Sequence, residues 1–221
     1  MSRSATLAEI VADSIRQALR DGVYVCGERI AELTIAQEMN VSQNTARDAL
    51  RLLEHEGWLM RRPRYGITVR AFDSTEAEEL YTLRETLETL VLEWAMKSMN
   101  EDRQMHLSRI ISEARIQAGM GNDRGVREAV AAFHETLVRI ANRPLTASTL
   151  KPLLNQSRLL SNLRTHYDPD NRDQYARRLT DYGDLLTHIR YGDVDAAKTT
   201  LSDILQMECR QLLPVLDLVA R

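Results

Sequence analysis

The chain has 221 residues, 43% of them hydrophobic and 28% charged, with a formal net charge of −3. That length suits two modest domains, each with its own core, and the composition is that of an ordinary soluble globular protein. It excludes a membrane span, because no apolar run approaches the ~20 residues a membrane helix needs. The start, Met1-Ser2-Arg3-Ser4-Ala5-Thr6, is followed by no signal-peptide core, so a cytoplasmic location is expected. Cys26 and Cys209 stand far apart in no metal or redox spacing and read as reduced thiols.

Taken in chain order, Ile10, Val11, Ile15, Ala18 and Leu19 mark an amphipathic first helix, stopped at Asp21-Gly22. After a connection beginning at Gly27, Thr34 with Gln37 three residues on predicts a capping box for a short second helix through Ile35-Ala36-Gln37-Glu38-Met39. Asn40 suits the left-handed residue that ends it. Ser42 is the N-cap of a third helix with an apolar face at Ala46, Ala49, Leu50 and Leu53, ended by Gly57. About three residues join the second and third helices, the length a helix-turn-helix requires. Trp58-Leu59-Met60-Arg61 and Ile67-Thr68-Val69-Arg70 bracket Arg62-Pro63-Arg64-Tyr65-Gly66, a hairpin with a Pro/Gly-containing loop.

Ala71-Phe72-Asp73-Ser74 is a short hinge, and beyond it the strand signals vanish. Thr75 or Asp73 starts a long helix in which Leu80, Leu83, Leu87, Leu90 and Val91 repeat at three- and four-residue steps. Further helical patterns follow around 102–119, 123–141, 145–166, 172–191 and 194–212. They are punctuated by Asn142-Arg143-Pro144, Tyr167-Asp168-Pro169-Asp170-Asn171 and Tyr191-Gly192-Asp193. Pro144 suits a helix start, Asp193 an N-cap, and Pro214 is expected to end or kink the last helix. The expected fold is therefore mainly α. A winged helix-turn-helix with a β-hairpin wing occupies residues 1–71, a hinge 72–74, and an all-helical bundle 75–221.

Charge is distributed to match. Residues 1–70 hold ten arginines and no lysine against nine acids, a balance of +1, while the remainder carries −4. The basic groups cluster: Arg61, Arg62, Arg64 and Arg70 flank one turn, and Arg47 and Arg51 lie one helical turn apart. A helix entering the major groove offers its first two turns to the bases, where Gln and Asn match adenine and Arg matches guanine. Ser42, Gln43, Asn44, Thr45, Arg47 and Arg51 on the third helix, with Arg62, Arg64 and Gly66 at the wing, form the expected DNA-binding set. Arg51 is placed for phosphate, and the wing for the backbone or minor groove. Each side chain alone reads equally well as a solvated polar group. The ordered arrangement points to duplex DNA.

Several stretches resemble the GntR family of bacterial regulators. They are Arg20-Asp21-Gly22, Gly27-Glu28-Arg29-Ile30, Val41-Ser42, Arg47-Asp48-Ala49-Leu50-Arg51-Leu52-Leu53-Glu54, Glu56-Gly57-Trp58 and Gly66-Ile67-Thr68-Val69. Glu79-Leu80, Arg84, Glu88, Phe133-His134, Asn142, Gly192-Asp193 and Ala197 are similar to the FadR-type, or FCD, effector domain. The resemblance implies a homodimeric transcription factor, expected to be a repressor, on a palindromic double-stranded operator. A small molecule in the helical domain would change its affinity for DNA. Family members usually carry Arg where Gln43 stands, so an operator shifted toward adenine is expected.

Many FCD domains hold a metal through an Asp four residues before a His and two later histidines. The resemblance places those positions here on Val130, His134, Tyr182 and Ile204, so no metal cofactor is expected. Arg84, His134 and Tyr182 are the candidate effector contacts for a small organic molecule. Two structural readings stand beside that one: Arg84 as the i,i+4 partner of Glu88, and His134 as a hydrogen-bonded core residue. No nucleophile elbow, phosphate-cradling loop or paired His-Glu motif is present, so an enzyme is not expected. The alternative is a ligand-independent DNA-binding or scaffold protein with a closed, degenerate pocket.

Overall fold

The computed structural model describes residues 5–167 and 172–219, apart from the side chains of 172–177. The expected break at 168–171 and the first four residues lie outside the described residues. The contacts divide the chain into two units, Met1–Phe72 with Asn155–Leu163, and Asp73–Leu154 with Arg164–Arg221.

In the first unit, α1 spans Leu7–Asp21 between a Thr6/Glu9 capping box and a left-handed Gly22. Val11, Ala12, Ile15 and Leu19 are buried, whereas Ile10, counted on the apolar face from spacing, is half exposed. A strand not foreseen from the sequence follows, β1 at Arg29–Ile30. It leads directly into α2, Glu32–Glu38, whose N-cap is Ala31 with no side-chain cap bond. The Thr34/Gln37 capping box is therefore not formed. The start of α2 is set by pairing of the residues before it with the sheet, and Thr34 already lies inside the helix.

Asn40 has a φ of 51°, as its left-handed role requires. Ser42 caps α3, Gln43–His55, and its Oγ accepts from Thr45 N at 3.1 Å. Ala46, Ala49, Leu50 and Leu53 are fully buried. Full burial of each leucine is worth about 1.5–3 kcal/mol over leaving it in water.

β2, Leu59–Arg62, and β3, Gly66–Val69, form the antiparallel hairpin, with Leu59 opposite Val69 and Arg62 opposite Gly66. β1 joins the other edge of β3, giving the order β1-β3-β2. Leu159 completes the core of this unit.

Leu159 lies on α7, Pro144–Tyr167, a continuous helix whose middle belongs to the first unit and whose ends belong to the second. Asn155 Nδ2 donates to Glu56 O at 2.9 Å, and Asn162 Nδ2 donates to Leu19 O at 2.9 Å and Arg20 O at 3.2 Å. Residues 155, 159 and 162 recur at helical spacing, so one face of α7 supplies donors to the C-terminal carbonyls of α1 and α3.

The second unit is helical among its described residues. Besides the ends of α7 it contains α4, Ser74–Lys97, and α5, Glu101–Gly119. The others are α6, Asp123–Ala141, α8, Arg172–Tyr191, and α9, Val194–Val219. Asp73 caps α4 in a capping box with Glu76, and Asp193 Oδ1 accepts from Ala196 N at 3.0 Å at the start of α9. Pro144 opens α7 as expected, but α9 runs on through Pro214 to Val219. The helix α4 packs against α6 and α9, and α8 packs against α5 and α9. Among the described residues, no helix is long and apolar enough to cross a membrane.

Candidate functional site

The N-terminal turn of α3 faces solvent. Ser42, Gln43, Asn44 and Arg51 are exposed, and Thr45 and Arg47 are half-buried. The hydroxyls of Ser42 and Thr45 lie 2.8 Å apart, so both belong to the cap that fixes how the helix begins. Gln43 and Asn44 project from that fixed turn. Arg47 is held on two sides: its Nε and Nη2 each lie 3.0 Å from Glu32 Oε2, and its Nη1 donates to Asn44 Oδ1 at 3.2 Å. Arg51 has a looser neighbour, Asp48 Oδ1 at 3.5 Å.

The wing turns at Arg62-Pro63-Arg64-Tyr65, closed by Tyr65 N donating to Arg62 O at 3.1 Å. Pro63 pre-sets the second position of this turn, and Arg64 takes the third with a φ of 64°. That is a left-handed conformation usually left to Gly or Asn. Arg62 and Arg64 are exposed. Arg29, from the neighbouring β1, lies over the Tyr65 ring with its guanidinium 5.9 Å from the centroid, and it adds a third cation to this edge.

The interior of the second unit holds a connected set of charged and polar side chains. Arg84 Nε donates to Glu88 Oε1 at 2.7 Å, and Arg84 Nη1 lies 3.5 Å from Glu208 Oε2. The other Glu88 oxygen bonds His134 Nδ1, and His134 Nε2 meets the Tyr182 hydroxyl at 2.7 Å. Arg178 Nη1 donates to Glu208 Oε1 at 3.2 Å, and Arg164 Nη1 to Gln211 Oε1 at 2.7 Å. Helices α4, α6, α7, α8 and α9 all contribute. Phe133 walls the group, edge-on to both His134 and Tyr182 with centroids 5.9 and 5.2 Å away.

Electrostatics fixes the protonation pattern. Burial opposes ionisation of Glu88, but the Arg84 guanidinium and His134 outweigh it and hold its carboxyl at about 2. Glu208 is likewise lowered: burial opposes ionisation, and Arg178 and Arg84 prevail. Burial, with Glu208 adding to it, pushes the Tyr182 phenol well above its ordinary value. A carboxylate at Glu88 can only accept, so His134 Nδ1–H donates to it, and Nε2 shares the second bond with the Tyr182 hydroxyl. Such a set can bind a polar or anionic group by exchange, since Arg84 and Arg178 each hold a carboxylate that a ligand could replace.

The four metal positions implied by the family resemblance carry little donor chemistry. Val130 packs against Ala114, Ala129 and Leu179, Ile204 is buried, and His134 and Tyr182 are bonded to each other. Among the described residues, no group of three or more His, Cys, Asp and Glu side chains is placed to hold a metal ion.

Comparison with known proteins decides the family. The model of the bacterial regulatory proteins of the gntR family matches residues 7–69, and that of the FCD domain matches 79–207. The chain belongs to the gntR family, in its FCD branch. The uncharacterized HTH-type transcriptional regulator YdhC of Bacillus subtilis is 24% identical over 93% of this chain and 90% of its own length. The gluconate operon transcriptional repressor of the same organism is 28% identical over 76% of this chain and 74% of its own length. The solved structure of E. coli McbR/YncC superposes with a TM-score of 0.82 at 17% identity, covering 98% of this chain and all of that one. At that identity the likeness shows the fold.

This gntR-family chain is a DNA-binding transcriptional regulator with a C-terminal effector domain, not an enzyme, and a ligand-independent scaffold is not favoured. The structure brings Arg84, His134 and Tyr182 together through Glu88. The sequence reading paired Glu88 with Arg84, as found, without counting it in the effector set, and it missed Glu208, Arg164 and Arg178. It also missed Arg29 at the wing and Glu32 beneath Arg47. Glu88 alone had a signal, its i,i+4 spacing from Arg84. The others are joined by tertiary packing and leave no local pattern.

Proposed function

We propose that the regulator is a metal-free repressor that grips a two-fold symmetric operator as a homodimer and releases it when a small organic anion enters the buried polar set of the effector domain. The observation that carries the anion is the gathering of guanidiniums in this interior. Among the described residues Arg84, Arg164 and Arg178 are buried, at 2, 4 and 6% exposure. They are bonded to Glu88, Glu208 and Gln211. A guanidinium matches a carboxylate with paired, charge-assisted hydrogen bonds, so a carboxylate ligand can exchange for one of these neighbours.

In this reading Gln43, Asn44 and Arg47 meet base edges in the major groove, and Arg51, Arg62, Arg64 and the Gly66 backbone meet phosphate or the minor groove. Arg84, His134 and Tyr182 hold the effector. The protein works in the cytoplasm, where its operator is. Repression as the direction of control follows the names of relatives such as the gluconate operon repressor. The lack of donors at Val130 and Ile204 supports the metal-free form.

The test is thermal unfolding against a panel of small carboxylates, neutral sugars and amines, followed by operator binding with any hit. A carboxylate at a hundredfold excess over its dissociation constant should stabilise by about 2.7 kcal/mol. It should also release the operator, and Tyr182→Phe should weaken both effects. Stabilisation only by neutral compounds or amines would overturn the anionic reading. Tight stoichiometric zinc uptake that is lost in His134→Ala would overturn the metal-free one.

A further inference from the structure

The helices α5 and α6 pack against each other and are joined by Met120, Gly121 and Asn122, so the start of α5 lies beside the end of α6. There the pair leaves a groove of about 350 Å³, lined by Asp102, Arg103 and His106 from α5 and by Thr136, Arg139 and Ile140 from α6. It shares no residue with the buried polar set. Thr136 and Ile140 are buried and form its floor, and the four charged or imidazole side chains stand exposed at its rim. Two guanidiniums face this groove from opposite walls, and neither holds a carboxylate. Arg103 Nη1 donates to Ser98 O, and Arg139 Nη2 donates to Thr136 Oγ1 at 2.9 Å. Both acceptors are neutral, and among the described residues neither arginine forms an ion pair. Each fork carries five N–H donors, so most of them stay open to a ligand.

Thr136 supplies an independent sign of a ligand. A helical threonine can return its hydroxyl to the carbonyl four residues back, as Thr82, Thr86 and Thr200 do in this chain. Thr136, 4% exposed, instead accepts from Arg139, and its own O–H donates to nothing among the described residues. A buried donor without an acceptor is costly, so an acceptor oxygen belongs beside it. His106 and Asp102 likewise have no hydrogen bond or ion pair among the described residues. The chemistry that fits is a phosphate. A carboxylate offers two oxygens, which one guanidinium edge already occupies. A phosphate monoester offers three strong acceptor oxygens, enough for both arginines and the Thr136 hydroxyl, with His106 Nε2–H or Nδ1–H as a further donor. Asp102 can only accept, so it opposes a bare anion and suits a hydroxyl carried next to the phosphate. The groove has the volume of a small-ligand site, more than a lone phosphate fills.

We propose that this groove is a second ligand site, which binds the phosphate group of a small hydroxylated molecule through Arg103, Arg139 and Thr136 and turns a ligand hydroxyl toward Asp102. It stands whether or not the buried polar set takes a carboxylate.

The experiment is isothermal titration calorimetry of the full chain with glycerol 3-phosphate, inorganic phosphate and glycerol, with circular dichroism as the folding control. Glycerol 3-phosphate should bind saturably, and glycerol should not bind. Weaker binding of inorganic phosphate would identify the ester as the ligand, and equal binding would identify the free ion at the same site. Arg103→Gln and Arg139→Gln should each weaken binding by about tenfold or more, since each removes a hydrogen bond between charged groups. Arg103→Lys with Arg139→Lys keeps both charges but loses the paired donor geometry, and it should weaken binding by about a few-fold. That variant decides the matter even if a glutamine variant fails to fold. No saturable binding of either phosphate compound would overturn the site. So would binding that none of the arginine variants weakens, or binding of glycerol as tight as that of its phosphate.

Discussion

Glu32 Oε2 accepts from both Nε and Nη2 of Arg47 at 3.0 Å, so the arginine expected to read a base is tied to an acid of its own domain. The pair joins α2 to α3 across the tight turn, and it occupies the guanidinium edge that a guanine would otherwise take. Binding to DNA must trade the carboxylate for base or phosphate oxygens. An acid here also repels any site that offers Arg47 no acceptor, a selection by penalty rather than by attraction. Glu32→Gln is expected to tighten binding to an operator by about two- to fivefold, the range of an exposed ion pair. It should tighten binding to unrelated duplex by more. Fluorescence anisotropy with both duplexes checks this, and unchanged or weaker binding to both would show that Glu32 only positions Arg47.

The wing offers a second test. Arg64 holds a φ of 64° at the turn position where Gly or Asn is usual. A side chain in that conformation costs about 1 kcal/mol relative to glycine. Arg64→Gly should therefore raise the stability of the DNA-binding unit by about that amount in urea unfolding. It should also lower operator affinity and reduce the salt dependence by about one phosphate contact. A gain in stability with no loss of affinity would remove Arg64 from the DNA-binding set.

What was legible in the sequence was local. Ser42, the buried face at Ala46, Ala49, Leu50 and Leu53, and the left-handed Asn40 depend on spacings of one to four residues, and each is found where expected. Elements that depend on distant partners were not legible. β1 exists because Arg29 and Ile30 pair with Thr68 and Ile67, and it moves the start of α2 ahead of Thr34. Asn155, Leu159 and Asn162 look like any helix face until they are found in the core of a unit about a hundred residues upstream. In α4 the period of Leu80, Leu83, Leu87, Leu90 and Val91 was visible, but it merges two stripes, one buried and one exposed. A carboxylate such as Glu208 carries no mark in sequence that it will be buried beside Arg84 and Arg178.

Gln43 bears on specificity. It is exposed on the first turn of α3, and its amide matches the donor and acceptor edge of adenine. In a binding-site selection the wild type should enrich adenine at one position of each half-site. Gln43→Arg should move that position to guanine, and Gln43→Ala should leave it without preference. Each bidentate base contact discriminates by about 1–3 kcal/mol, enough for a clear change in enrichment. Identical enrichment in all three proteins would mean that Gln43 does not face the bases.

The buried Glu88 gives the effector domain a defined response to acid. Its carboxyl sits at about 2 in the folded protein, below the ordinary value of 4.5 that the unfolded chain shows. A group depressed in this way contributes stability that is fully present above 4.5 and lost as the pH falls from there toward 2, because the unfolded state takes up the proton first. Glu208, lowered by Arg178 and Arg84, acts in the same direction. Denaturant midpoints measured between pH 7 and 3 should therefore stay level above about 5 and fall steeply below. Glu88→Gln keeps the shape of the side chain but leaves Arg84 short of a counter-charge, and it should cost about 3–5 kcal/mol at pH 7. The variant should also flatten the acid limb, since the proton it would have taken up has no site. An equally steep acid limb in Glu88→Gln would place the acid sensitivity elsewhere, on Glu208 first, and the double variant with Glu208→Gln would then flatten it.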